Sequence, residues 1–184
     1  MICWRRIDMT GLELLALRED AAGVAVESTV ICGWDGGYRL DHAWTLTPDW
    51  RAQSLRIARW DAHGHRTLVL ERDRDGWRVD GAPRPDLDGA AEPDVSVTPF
   101  CNTLVMRRVP DGGSLTVDTA WIDADAMIVA RSRQRYDHKG PGLYRYIDLG
   151  TSAGFEADLR VDDARLVLHY EHLFERVDVD VTAT

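Results

Sequence analysis

Asn102, Arg107 and Arg108 carry the polar groups of a stretch, Thr98 to Pro110, that is otherwise largely apolar. Burying an unpaired guanidinium costs several kcal/mol, so each needs a partner. Two sets of partners fit. The arginines can meet the last carbonyls of a helix and nearby carboxylates, an arrangement worth about 0.3–1 kcal/mol, while Asn102 binds strand backbone. Alternatively all three stand at a cavity mouth, where arginine's forked donors hold an anionic or sugar headgroup. Further along, Ile128, Ala130, Ser132, Gln134 and Tyr136 alternate with Arg131, Arg133 and Arg135. If the arginines face water, Gln134 and Tyr136 turn inward beside Ile128 and join the same candidate site.

Aromatic residues with a polar tip extend the set. Tyr38, Trp44, Trp121, Tyr136 and Tyr170 fall on the apolar side of alternating segments, where they either fill a core or flank an acyl chain or sugar ring. His63 and His65, near Asp61, would share a face if extended, but no third ligand follows at a telling spacing and no metal is assigned. No Gly-x-Ser-x-Gly elbow, phosphate-cradling Gly-x-x-x-x-Gly-Lys or zinc-protease helix occurs, and no cofactor is implied. A carboxylate pair brought together by folding is the remaining catalytic option.

The elements that must position these groups are mostly strands. One helix is expected over about 99–109, with Thr98 as N-cap, Pro99 in the first turn, and Pro110 with Gly112-Gly113 as its stop. At about 100° per residue its apolar side chains spread over most of the circumference, which is the pattern of a buried helix. Elsewhere the period is two. Tyr38, Leu40, His42, Trp44 and Leu46 share one face, and Leu115, Val117, Thr119 and Trp121 share another. Further strands are read at 12–17, 24–32, 67–72, 143–149, 155–161 and 174–181, with 50–60 weaker. The Pro-rich piece from Gly81 to Pro93 reads as an irregular excursion or a Pro-punctuated edge. A meandering antiparallel sheet curled around one helix contains all of this.

Length and charge set the outer limits. The 184 residues suit a single domain, 1–184, and 22 basic against 31 acidic residues leave a net charge of −9, which argues against nucleic acid as a partner. No run is long enough for an integral membrane segment, and three widely spaced cysteines, Cys3, Cys32 and Cys101, read as free thiols of a cytoplasmic protein.

Asp75-Gly76-Trp77, Asp94-Val95, Thr98-Pro99-Phe100, Asn102-Thr103-Leu104 and Arg107-Arg108 together resemble the signature of the putative glycolipid-binding family. Gln134, Tyr136, Tyr144, Tyr146, Phe155 to Asp162, Leu166-Val167, Tyr170, Leu173-Phe174 and Arg176 continue the likeness in order. Trp4, Gly11, Glu13, Tyr38 and Trp50-Arg51 extend it toward the N-terminus. The resemblance implies a spiral β-roll of about fifteen antiparallel strands around a single central helix, with a shape like that of bacterial lipoprotein carriers. It departs from the family at Cys101, at Val105, at Ala90-Ala91, and at Tyr170-Glu171-His172-Leu173-Phe174, where the family tends toward Tyr-Pro-Gly-Leu-Phe.

The reading that follows is a non-catalytic binding or carrier protein for an amphipathic, glycolipid-like ligand held inside the roll. Tyr38, Trp44, Asn102, Arg107, Arg108, Gln134, Tyr136 and Tyr170 are its candidate ligand-binding residues. The alternatives are a hydrolase or sugar-modifying enzyme using acids in the same cavity, and a roll that works through its surface, as a homodimer joined along a strand edge.

Overall fold

Alternation in the first half of the chain becomes strand pairing almost residue for residue. The computed structural model describes residues 1–34 and 36–178. It holds β1 (Ile2–Arg6), β2 (Gly11–Asp20), β3 (Gly23–Cys32), β4 (Tyr38–Leu46), β5 (Ala52–Asp61), β6 (Gly64–Asp73), β7 (Gly76–Val79) and β8 (Ala82–Pro83). In β3, Val24, Val26, Ser28, Val30 and Cys32 are buried, and in β4 Tyr38, Leu40, His42, Trp44 and Leu46 are buried. The second half comprises β9 (Ala90–Val95), α1 (Phe100–Met106), β10 (Ser114–Asp123), β11 (Ile128–Gly140), β12 (Leu143–Asp148), β13 (Glu156–Val161), β14 (Val167–Tyr170) and β15 (Phe174–Val177). Residues 179–181 of the expected last strand lie outside the described residues.

The fifteen strands of the described residues belong to one sheet. Its order runs from β8 down to β1, then from β15 down to β9, so the first and last strands pair in the middle of the sheet. The result is a spiral β-roll with the helix inside it: all seven residues of α1 are buried. Phe100 packs on Trp44 and Trp50, at ring centroid distances of 5.7 and 6.4 Å.

The sheet is not wholly antiparallel as expected. β9 and β10 run parallel, because the chain between them crosses over through α1, and parallel neighbours require such a crossover. The Pro-rich stretch proves to be an edge: it contains β8, a single 3₁₀ turn at Pro85–Leu87 and β9, with Pro93 in the edge strand. The two sheet edges meet through side chains. Trp77 Nε1 donates to Ala90 O at 2.9 Å, Arg72 donates to the carbonyls of Ala90 and Ala91, and Glu92 accepts from the Ala52 N–H at 2.8 Å.

The helix is shorter than the expected 99–109. The N–H groups of Arg108 and Val109 bond three residues back, to Val105 and Met106 at 3.0 and 3.2 Å, which tightens the last turn before Pro110. Ile128 does not turn inward; it is 54% exposed at the start of β11, while Ser132, Gln134 and Tyr136 are buried and Arg131, Arg133 and Arg135 face water. In β10 the alternation breaks between Asp118 and Ala120, where the pairing with β9 shifts register, so Ala120 and Ile122 are buried and Trp121 is half-buried.

The corner where the family tends toward Pro-Gly is resolved at a local cost. Leu173 N bonds to Tyr170 O at 3.0 Å, and His172 takes φ 70° at the third turn position, a conformation suited to glycine. The His172 side chain is 66% exposed and can be removed without opening a cavity. His172→Gly is therefore expected to stabilise the protein by about 0.5–1 kcal/mol, relief of left-handed strain outweighing the added freedom of the unfolded chain. Urea unfolding of both proteins measures this, and a lower midpoint for the variant contradicts it.

Candidate functional site

Among the depressions of about 270–440 Å³, two carry a tryptophan in their walls. One, of about 440 Å³, lies on the outer face of β2–β5 over Leu14, Ala16, Ala43 and Ala58. Its one half-buried acid, Asp41, is already taken by Arg39 and by Thr29 at 2.8 Å. The other, of about 270 Å³, opens beside the helix and concentrates polar groups among aromatic walls. Asp94 and Thr98 flank the start of the crossover, Asn102 comes from α1, and Trp121 from β10. Tyr146 and Asp148 come from β12, Phe155 from the turn before β13, Tyr170 from β14 and Phe174 from β15.

Strand register builds the aromatic wall. Tyr136 pairs with Tyr146, and Tyr146 with Ala157, whose small side chain leaves room for Tyr170 to approach. Tyr146 lies 5.3 Å from Tyr136, 6.0 Å from Tyr170 and 6.1 Å from Phe155, centroid to centroid. Tyr170 in turn lies 6.1 Å from Phe174. Burial pushes the phenols of Tyr136, Tyr146 and Tyr170 upward, so they remain protonated donors.

A directed chain of hydrogen bonds runs under this wall. Asn102 Nδ2 donates to Tyr136 Oη at 2.8 Å, Tyr136 Oη donates to Gln134 Oε1 at 3.1 Å, and Gln134 Nε2 donates to Asp94 Oδ2. Asp94 is the terminal acceptor and is partly open to the pocket. Asp148 is fixed differently: its Oδ1 accepts the N–H groups of Gly150 and Ser152 at 2.7 and 3.2 Å, and its Oδ2 accepts from Tyr146 Oη at 3.1 Å. Gly150 is needed for that turn to lie against β11, because a Cβ there would sit 2.5 Å from the Arg133 nitrogen. Burial, reinforced by the negative charge of Asp148, pushes the Asp94 carboxyl up to about 6, against the lowering effect of the Gln134 hydrogen bond.

Asn102 and Tyr170 line the pocket, and Gln134 and Tyr136 stand directly behind its floor. The other four expected residues are elsewhere. Tyr38 is buried under the Arg59 guanidinium, 4.3 Å from the ring centre. Trp44 packs on Phe100 and donates to His42 Nδ1 at 2.8 Å. Arg107 donates to Ala164 O at 3.0 Å and lies 4.0 Å over the Trp50 ring, and Arg108 stands 3.5 Å from the buried carboxylate of Glu92. The cation that meets a helix C-terminal carbonyl is Arg165, 2.7 Å from Met106 O. Among the described residues no group of three His, Cys, Asp or Glu side chains is placed to hold a metal; His65 stacks on Trp60 at 4.7 Å.

Sequence alone does not mark Asp94, Asp148, Tyr146 and Phe155 as site residues. Asp94 stands in the resemblance signature, and Asp148-x-Gly150 is a turn pattern in which a carboxylate binds backbone two residues on. Neither signal says that a pocket will form above it.

Fold and pocket together define a spiral β-roll with a small aromatic, acid-bearing site at its helix. The chain belongs to the family described as Putative glycolipid-binding, whose sequence profile matches residues 1–176. It is similar to a DUF1089 family protein of known crystal structure from Pseudomonas aeruginosa, with a TM-score of 0.79 and 31% identity over 90% of this chain and 92% of that one. A comparison with curated proteins finds no match.

The raised Asp94 pKa has a stability signature. A carboxyl whose folded value exceeds its usual 3.8 contributes stability that is fully present below about pH 4 and is lost as pH rises through about 6. Asp94→Asn keeps an acceptor for Gln134 and is expected to remove that loss. Thermal midpoints taken from pH 4 to pH 7.5 should show a flatter profile for the variant, and identical profiles would count against the assignment.

Proposed function

We propose that this protein is a non-catalytic binding protein whose helix-side pocket takes the polar head of a glycolipid-like, amphipathic ligand. The observation that carries this is the pairing of aromatic walls, Trp121, Tyr146, Phe155 and Tyr170, with hydrogen-bonding groups on Asp94, Asn102 and Asp148 in one pocket of about 270 Å³. Flat apolar faces beside a few convergent polar groups suit a sugar ring, which offers C–H faces and hydroxyl edges. At about 30 Å³ per water the pocket holds roughly nine waters, a volume for one ring and not for a long acyl chain. Family membership supports the same ligand class.

The alkyl part is assigned to the rim. Leu173 borders the pocket, and Ile7, whose N–H bonds to Leu173 O at 3.0 Å, is 43% exposed beside it. Buried free thiols at Cys3, Cys32 and Cys101 suit a reducing, cytoplasmic setting for one domain spanning 1–184, and no helix among the described residues is long and apolar enough to cross a membrane.

Titration calorimetry with methyl and octyl glycosides tests the reading. Octyl glycosides below their micelle concentration are expected to bind more tightly than methyl glycosides. Trp121→Ala is expected to weaken both by up to about tenfold, the worth of one aromatic contact of about 0.5–1.5 kcal/mol. Absence of binding by any glycoside at millimolar concentration refutes the proposal.

A hydrolytic reading is favoured by one observation: Asp94, with its raised pKa, shares the pocket with a second carboxylate, Asp148. Turnover of a panel of aryl glycosides and esters, abolished by Asp94→Asn, would establish it in place of simple binding.

A further inference from the structure

The pocket's charge is one-sided. Asp94 and Asp148 both line it, and no lysine, arginine or histidine is among its lining residues. The arginines that could have held an anionic head do not line it: Arg107 donates to Ala164 O, and Arg108 lies 3.5 Å from the Glu92 carboxylate. Asp148 has donors on both oxygens, from backbone N–H groups and Tyr146. Asp94 receives one donor, Gln134, on one oxygen, and no cation among the described residues opposes its negative charge. Trp121, Tyr146 and Tyr170 stand around the same pocket, and electron-rich rings beside carboxylates are the usual surroundings of a bound ammonium group.

We infer that the head recognised by this pocket carries a positively charged amine, held between Asp94 and the aromatic wall, and that phosphorylated, sulfated or carboxylated heads are rejected. The inference rests on the binding reading above and narrows its ligand class. Two kinds of molecule share this chemistry: an amino sugar, in which the amine sits on the ring, and a non-sugar head such as choline.

An ammonium ligand also stabilises the ionised form of Asp94, so its binding must depend on pH. The groups facing Asp94 are Gln134 and Tyr136 from β11, Asp148 and Tyr146 from β12, Tyr170 from β14 and Cys101 from α1. The tyrosines and the thiol are held protonated by burial, and the Asp94 carboxyl is pushed up to about 6. With a carboxyl at about 6, the ionised fraction rises by about tenfold between pH 5 and pH 7, and ammonium binding should tighten by about that factor.

The experiment compares methyl glucoside, methyl 2-amino-glucoside, its N-acetyl derivative, methyl glucuronide and choline by calorimetry at pH 5 and pH 7. The amino-glucoside is expected to bind at least tenfold more tightly than the glucoside at pH 7, to lose that advantage on acetylation or at pH 5, and to exceed the glucuronide by more. In Asp94→Asn, shown to be folded by its thermal melt, the ratio of amino to neutral affinity should fall toward one. Neutral glucoside binding as tightly as the amine, or the glucuronide binding best, overturns the inference and leaves the glycoside reading standing. Binding by choline with no binding by any sugar upholds the ammonium site and overturns the glycolipid reading. No binding by any of the five overturns both.

Discussion

The carboxylate of Glu13 holds the start of the helix to the sheet. Its Oε1 accepts from Ser28 at 2.7 Å, from His42 Nε2 at 3.0 Å and from Thr98 at 2.9 Å, linking β2, β3, β4 and the segment that leads into α1. Trp44 decides the geometry of this cluster. Its indole N–H can only donate, so His42 Nδ1 must accept, the imidazole proton sits on Nε2, and that proton points at Glu13. Thr98 is thus turned toward Glu13 while its oxygen accepts the Phe100 N–H at 3.2 Å, satisfying one of the free donors of the helix start. A seven-residue helix is too short to be stable alone, and this tether and the packing of Phe100 on two tryptophans supply what its own hydrogen bonds cannot.

The pocket is a by-product of the same arrangement. Because α1 is the crossover between parallel β9 and β10, it fills the interior beside Trp44 and Trp50 with Phe100 and leaves Asn102 toward Tyr136 of β11. There Ala157 and the half-buried Trp121 allow a hollow, and the polar chain from Asn102 to Asp94 forms its floor. A protein interior of this density admits few such gaps, so the hollow and its polar lining belong together.

Much of the architecture was legible because its signals are local. Strict alternation in β3, β4 and β11 locates strands, and a short stretch apolar all round can only be a buried helix. Gln134 and Tyr136 turn inward as the outward arginines of β11 require. Non-local facts were not legible. The parallel pair depends on where the chain goes after the helix, the register shift near Ala120 on what β9 does beside it, and the position of Asp148 on a turn docked through Gly150. Arg107 and Arg108 illustrate the same limit. Their need for partners was evident, but a carbonyl at Ala164 and a buried carboxylate at Glu92 are 57 and 16 positions away in the chain, and no spacing rule reaches them.

The pairing of the first strand with the last governs the order in which the molecule can be made. β1 has β2 on one side, but its other edge waits for β15, the last strand in chain order among the described residues. On a ribosome-bound chain that edge of β1 therefore stays open until β15 has been made, and closing so long a loop is slow and invites mispairing. Leu173 and Phe174, which border the pocket, arrive with that last closure. An unfinished chain has no complete pocket, and ligand capture can begin only when the sheet has joined itself at its centre.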